Sequence, residues 1–223
     1  MQDEIPQNPS MGHEVITLDV STLVARIPQL AEREVACLDL VGRGEIPPEI
    51  AALKDALKAL ATPDDVTDLT PLAALTNLEW LDLMFCPKLA DLSPLAELPK
   101  LAWLKLAKCE TLTDLTPLAQ LTNLRVLNLR NCPAVTDLSP LSGLAELVHL
   151  DLSGCEGVTD LGHLKGHPRL EMLDISDCHH LADPAPLADL QGLKSLTAFE
   201  TNLDDEAIQF LTEQLPDCEI LSQ

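Results

Sequence analysis

The chain has 223 residues, and 14 Lys and Arg against 36 Asp and Glu give a formal net charge of −22. That acidic field argues against a nucleic-acid ligand, which needs a Lys/Arg footprint, and favours a basic or mixed-charge partner. No stretch approaches the roughly 18 apolar residues of a membrane span, and the start, MQDEIPQNPSMGHEV, has no basic segment followed by an apolar run, so neither a signal peptide nor a membrane partner is expected.

Residues 1–13 are polar and Pro-containing, which predicts a mobile leader. His13 to Val20 alternates, and Ser21 to Gln29 reads as a short helix limited by Pro28; residues 14–34 would then cap the open apolar end of the first coil. Val35, Leu38 and Leu40 fit the strand template and open the first coil. The next stretch, PPEIAALKDALKAL, begins with the tandem Pro of a helix start and places Ile50, Leu53, Leu57 and Leu60 at helical spacing, while its end, Ala59 to Ala61, overlaps the next expected strand.

From Val66 the chain repeats. Cys86, Cys109, Cys132, Cys155 and Cys178 fall 23 residues apart, and Leu81, Leu104, Leu127, Leu150, Leu173 and Leu196 keep the same beat. Leu78, Leu81, Leu83 and Cys86 spell L-x-x-L-x-L-x-x-C, and a period of 20–29 residues with that pattern is the signature of a leucine-rich repeat. The fold class is therefore an α/β repeat solenoid: right-handed, one elongated domain of about eight coils over residues 35–203, with a concave parallel β-sheet. Thr70-Pro71, Ser93-Pro94, Thr116-Pro117 and Ser139-Pro140 each precede an apolar L-x-x-L, a hydroxyl N-cap with Pro at N1, so the convex side should carry short helices or 3₁₀ turns. The coil at 161–170, with Gly162, His163, Gly166 and Pro168, should be the least regular. Residues 204–223 read as a capping helix, with Ile208, Leu211 and Leu215 on one face and Pro216 as its stop, then a last strand around Cys218 to Leu221.

The motifs TDLTPLAALTNLEWLDL and TDLSPLSGLAELVHLDL resemble the repeats of bacterial internalin-type leucine-rich repeat proteins over roughly residues 64–203. Cys stands where Asn is usual after the strand, as in the cysteine-containing repeat class, and Cys86-Pro-Lys-Leu89 adds one residue to the coil. The resemblance implies a protein-binding concave sheet. The adhesin role of internalins is not implied, because their secretion signal is not seen.

Side chains alternate along a strand, so residues between the core leucines face outward. Trp80, Trp103, Val126, His149, Met172 and Ser195 form one outward column; Asp82, Lys105, Asn128, Asp151, Asp174 and Thr197 form the next. Met84, Ala107, Arg130, Ser153, Ser176 and Phe199 follow, then Phe85, Lys108, Asn131, Gly154, Asp177 and Glu200. Both tryptophans therefore stand on adjacent concave strands beside Met84 and Phe85, the composition of an interface hot spot. The bland alternative is that the two indoles shield one another. The candidate partner-binding set is Trp80, Trp103, Met84, Phe85, Asp82, Lys105, Asn128, Arg130, His149, Asp151, Met172, Asp174 and Asp177, and a protein with an apolar knob and a basic flank would fit it. The acidic end is read equally well as a solvated face.

Asp68, Asp91, Asp114, Asp137, Asp160 and Asp183 form another column, where unit charges about 5 Å apart repel by roughly 0.8 kcal/mol even at water's dielectric. Capping of the following Thr/Ser-Pro turn by backbone N–H bonds offsets this; calcium is the alternative, on one kind of donor per coil. The five ladder cysteines fill the core as reduced thiols, which fits a cytoplasmic location, with export lacking a signal peptide as the alternative. Cys37 faces outward if its strand is correctly registered, which makes it the thiol best placed to react. His149, Asp151 and Ser153 are neighbours on one strand face, but a flat sheet supplies neither a pocket nor free N–H groups for an oxyanion. Cys178-His179-His180 and His163-x-x-x-His167 have metal-like residue types in loop settings. The function expected is non-catalytic protein binding, as an inhibitor or immunity-type protein for a basic partner or as a scaffold or secreted effector, with no metal and no cofactor.

Overall fold

In a computed structural model, which describes residues 13–222, the recurring leucines stack coil upon coil into one continuous core in which Leu81, Leu104 and Leu127 are fully buried. The expected leader at 1–13 lies, apart from His13, outside the described residues. Ten strands make one parallel sheet in strict sequence order. They are β1 (Val15–Asp19), β2 (Cys37–Val41), β3 (Ala59–Ala61), β4 (Trp80–Asp82), β5 (Trp103–Lys105), β6 (Val126–Asn128), β7 (His149–Asp151), β8 (Met172–Asp174), β9 (Ser195–Thr197) and β10 (Glu219–Leu221). The sheet is open, with β1 and β10 as its edges. Its first and last strands lie in the terminal segments on either side of residues 35–203, so both segments extend the sheet.

The convex side is built of 3₁₀ turns at Thr70–Ala74, Ser93–Glu97, Thr116–Gln120, Ser139–Leu141 and Gly162–Leu164. The last lacks Pro at its start and is one of the short ones. Here His167 takes the core position that Leu144 and Leu190 hold in neighbouring coils; it is buried, and Nδ1 and Nε2 lie 2.9 and 3.0 Å from the carbonyls of Leu164 and Leu141. The ring thus ties two coils together, and His163 remains exposed and apart from it.

Two local expectations are corrected. Helix α1 (Leu23–Glu32) runs through Pro28 rather than ending there. Leu23, Ile27 and Leu30 bury its inner face, Pro28 sits on the exposed side, and water can solvate the carbonyl that proline leaves without a donor. The segment after Pro47 forms a 3₁₀ helix, Pro48–Leu53, not a longer α-helix, because the chain must return to the sheet at Ala59. The intervals from Leu38 to Leu60 and from Leu60 to Leu81 are one and two residues shorter than the 23-residue beat, yet the strands stay in register. At the other end, Asp204 caps α2 (Asp205–Gln214) by accepting from Ala207 N–H at 2.9 Å, and α2 closes the core with Ala207 and Leu211.

Each aspartate of the convex column caps its own turn. Oδ1 of Asp68, Asp91, Asp114 and Asp137 accepts the N–H two residues on at 2.8 Å, and Asp160 and Asp183 repeat the contact at 2.7 and 2.9 Å. The hydroxyl and then the N–H of Thr70, Ser93 and Thr116 hold Asp68, Asp91 and Asp114 below the ordinary aspartate value; for Asp137 the N–H of Ser139 leads. This capping accounts for the column without a cation.

The cysteines do more than fill space. Cys132 Sγ donates to the Leu106 carbonyl at 3.1 Å, Cys155 to Leu129 at 3.1 Å and Cys178 to Leu152 at 3.2 Å, each 26 residues back. The same carbonyls accept the N–H of Cys109, Cys132 and Cys155, so both lone pairs are used. Burial pushes the Cys132 and Cys178 thiols up to about 11 and raises Cys86, Cys109 and Cys155 as well.

The capping aspartates have folded values below their unfolded ones, so their contribution to stability is complete above about pH 5 and is lost as pH falls through the ordinary 3.8 toward the folded value. Thermal unfolding followed by circular dichroism from neutral to acid pH should show this fall, and Asp114→Ala should lower stability at neutral pH and flatten the acid slope. Thiol labelling read by mass spectrometry should modify Cys218, the half-exposed cysteine, in the native protein, and the five ladder cysteines only after denaturant is added.

Candidate functional site

From β3 onward the strands of the concave face are three residues long, and four of them are ended by the same device. Asp82 Oδ1 accepts Met84 N–H at 3.0 Å, and Asn128, Asp151 and Asp174 make the same bond to Arg130, Ser153 and Ser176. These Asx turns bend the chain out of the sheet after the second outward residue. Met84 and Phe85 therefore lie in the turn that follows β4 rather than on the strand. Ala107 and Ser153, in the third expected column, are buried.

The turn before each ladder cysteine, and before Thr201 at the same place in the last coil, is left-handed: φ is 63° at Phe85, 63° at Lys108, 55° at Asn131, 71° at Gly154, 60° at Asp177 and 53° at Glu200. That conformation costs a bulky residue about 1–2 kcal/mol. It is held because Phe85, Lys108, Asn131, Gly154 and Asp177 each donate their N–H to a carbonyl of the next coil, as Phe85 does to Ala107 at 2.9 Å. Phe85 is 45% exposed and carries Lys108 Nζ over its ring at 4.6 Å from the centroid.

The two indoles are register partners, Trp80 against Trp103. Trp80 is only 8% exposed; it packs with Cys37, Ala59 and Trp103 in a small cluster on the concave side of the sheet. Cys37 does face outward, but it is buried in that cluster and its thiol is raised by burial, so it is not the reactive cysteine the outward position suggested. Lys105 spans the next column, with Nζ 3.1 Å from Asp82 Oδ2 and 5.3 Å from the Trp80 centroid. Nε1 of both tryptophans is buried without an acceptor.

Depressions lie on either side of this ridge. Toward the N-terminus, Val15, Cys37, Ala59, Ala61 and the flank of Trp80 enclose about 240 Å³. Toward the C-terminus, about 250 Å³ is bounded by Val126, His149, Met172 and Ser195 on one side and Asn128, Asp151, Asp174 and Thr197 on the other. Burial holds the His149 imidazole below its ordinary value, an effect that Glu171 opposes and Arg125 reinforces. Ser153 donates its hydroxyl to Asp151 at 2.6 Å and its backbone N–H to the same oxygen, so these three residues do not form a nucleophile–base relay. Cys178 points inward to its carbonyl, His179 bonds the Glu200 carbonyl at 2.7 Å, and no group of three or more His, Cys, Asp or Glu suited to a metal occurs among the described residues.

The candidate residues thus divide. Trp103, Lys105, Asn128, His149, Asp151, Met172 and Asp174 share the sheet surface; Met84, Phe85, Arg130 and Asp177 line its turn edge; Trp80 and Asp82 are largely taken up in internal contacts. The N-terminal depression escaped the sequence reading because Cys37, Ala59 and Ala61 belong to coils off the 23-residue beat. Among the described residues no helix is long and apolar enough to cross a membrane.

The family described as leucine-rich repeats in two copies matches residues 122–166. An internalin C2 from Listeria monocytogenes is similar over 82% of this chain and 77% of its own, at 31% identity and a TM-score of 0.68. The leucine-rich repeat domain of the type III effector XopL is similar over 93% and 75%, at 24% identity and a TM-score of 0.72. The mouse RP105/MD-1 complex shares the fold over 85% of this chain and 34% of that one, at 19% identity and a TM-score of 0.66. No curated protein sequence gives a significant match.

With two Trp and no Tyr in the chain, emission reports the ridge directly. Trp103→Phe should leave a blue-shifted Trp80 emission that acrylamide quenches weakly, whereas Trp80→Phe should leave a Trp103 signal quenched several-fold more readily.

Proposed function

Starting from a chain that belongs to the leucine-rich repeat family, with repeats of the internalin kind, we propose that it acts by non-catalytic protein binding through its concave sheet, as an inhibitor or immunity-type protein that covers a basic partner. The observation that carries this reading is the open surface from β5 to β9, where half-exposed Trp103, His149 and Met172 run alongside Asp151 and Asp174. Apolar anchors beside acidic groups suit a partner that offers an apolar knob and a basic flank. Nine spacings of about 4.8 Å give a face on the order of 40 Å long, enough for an interface of standard size. The formal charge of −22 would speed encounter with a basic surface.

A second reading, a scaffold or exported effector that recognises a mixed-charge partner, is favoured by Lys105, Lys108 and Arg130 near the middle of the same face. The free thiols suit a reducing, cytoplasmic setting.

Capture from an extract of the producing cells separates these readings. A basic partner held through the concave face should be retained at about 50 mM salt, be released by about 500 mM, and be lost from a Trp103→Ala/Met172→Ala double variant that melts like the parent. Retention at both salt concentrations favours the scaffold reading. Equal capture by the double variant moves the binding surface off the concave sheet.

A further inference from the structure

We propose that the C-terminal concave groove, between β6 and β9, seats an arginine side chain carried on an extended segment of the partner protein; this rests on the concave face being the binding surface. The protein already shows how this column treats a cation. Near its N-terminal end Lys105 lies against both the Asp82 carboxylate and the Trp80 ring. Two strands further on, Asp151 faces Asp174 directly across β7 and β8, and Asp174 in turn faces Thr197. No ion pair among the described residues neutralises either carboxylate. Like charges opposite one another on paired strands are unfavourable, so a cation placed between them relieves a cost the isolated protein carries.

The carboxylates are also aimed. Asp151 Oδ1 takes the Ser153 N–H and hydroxyl, and Oδ2 takes the Asn128 amide at 3.0 Å, so neutral donors fix its direction and leave its charge. Asp174 Oδ1 takes the Ser176 N–H at 2.9 Å, while Oδ2 has no partner among the described residues. The facing wall is apolar: Val126 is buried, Met172 is 43% exposed, and His149 Nε2 is out of water without a hydrogen-bond partner. A guanidinium presents five N–H donors in a flat fork and so reaches both carboxylates at once, while its methylene stem lies along Met172 and Val126; an ammonium offers only a point charge. An extended segment brings such a side chain to a concave sheet without a pocket deeper than this groove.

The probe is acetyl-Leu-Arg-Leu-amide, with the citrulline peptide as its neutral isostere, titrated into isotope-labelled full-length protein. Amide shifts should concentrate at Asn128, Asp151, Asp174 and Thr197, and citrulline should bind about tenfold more weakly, the loss expected when charge-assisted hydrogen bonds become neutral ones. Asp174→Asn should produce the same loss. It keeps the fold, because Asn128 makes the identical turn in this array by accepting Arg130 N–H at 2.9 Å. Equal binding of the arginine and citrulline peptides, shifts centred on Phe85 and Lys108, or unchanged affinity in Asp174→Asn overturns the assignment. A captured partner that is lost from the Trp103→Ala/Met172→Ala protein yet held equally by wild type and Asp174→Asn would keep the proposed function and remove this seat; arginine binding with no concave-face partner would do the reverse.

Discussion

Everything in this protein depends on stacking each coil's core leucines on those of the next. Each short strand has one face to bury and cannot bury it alone, so a coil is stable only between two others. The parallel register then places every residue beside its counterpart one coil away: Trp80 beside Trp103, Asp151 beside Asp174. A side chain's neighbours are set by arithmetic along the chain, and that is how a linear pattern becomes a surface.

Stacking also brings like groups together, and the solenoid has a polar device for each case. Convex aspartates at each coil are turned onto backbone N–H groups, which stabilise the carboxylate form and make a row of six compatible with one face. Core thiols, which would otherwise be inert volume, donate to the carbonyl one coil back and complete its second lone pair. Where a coil lacks leucine at the convex core position, His167 holds two carbonyls in its place. The left-handed turn before each ladder cysteine is tolerated because its N–H continues the inter-coil ladder, even at Phe85.

The functional face is what these devices leave over. From β3 onward the strands are three residues long, ended at β4, β6, β7 and β8 by Asx turns, so the outward surface is narrow: two columns on the sheet and a rim of turn residues. Along it, charge pairing is uneven. At β4 and β5 indole packs against indole and Lys105 neutralises Asp82; from β7 to β9 the carboxylates have no such cation, and acidic groups face a groove with an apolar wall. A binding surface is better sought where the chain has not answered its own charges than where its largest side chains lie.

The sequence by itself determined the solenoid, the parallel sheet, the short convex turns, the inward cysteines, the capping aspartates and the last strand near Cys218, because each rests on a local period or a local contact pattern. It also determined which residues share a column from β4 onward. Only the tertiary structure decided that β1 joins the sheet, that Pro28 is tolerated within a helix and that Cys37 is sealed, since these depend on what packs across coils of unequal length. Exposure within a column was likewise beyond the sequence: Trp80 and Met172 occupy equivalent positions, yet one is 8% and the other 43% exposed. The difference lies in their neighbours on adjacent strands, small Ala59 and a second indole for Trp80, and His149 and Ser195 for Met172.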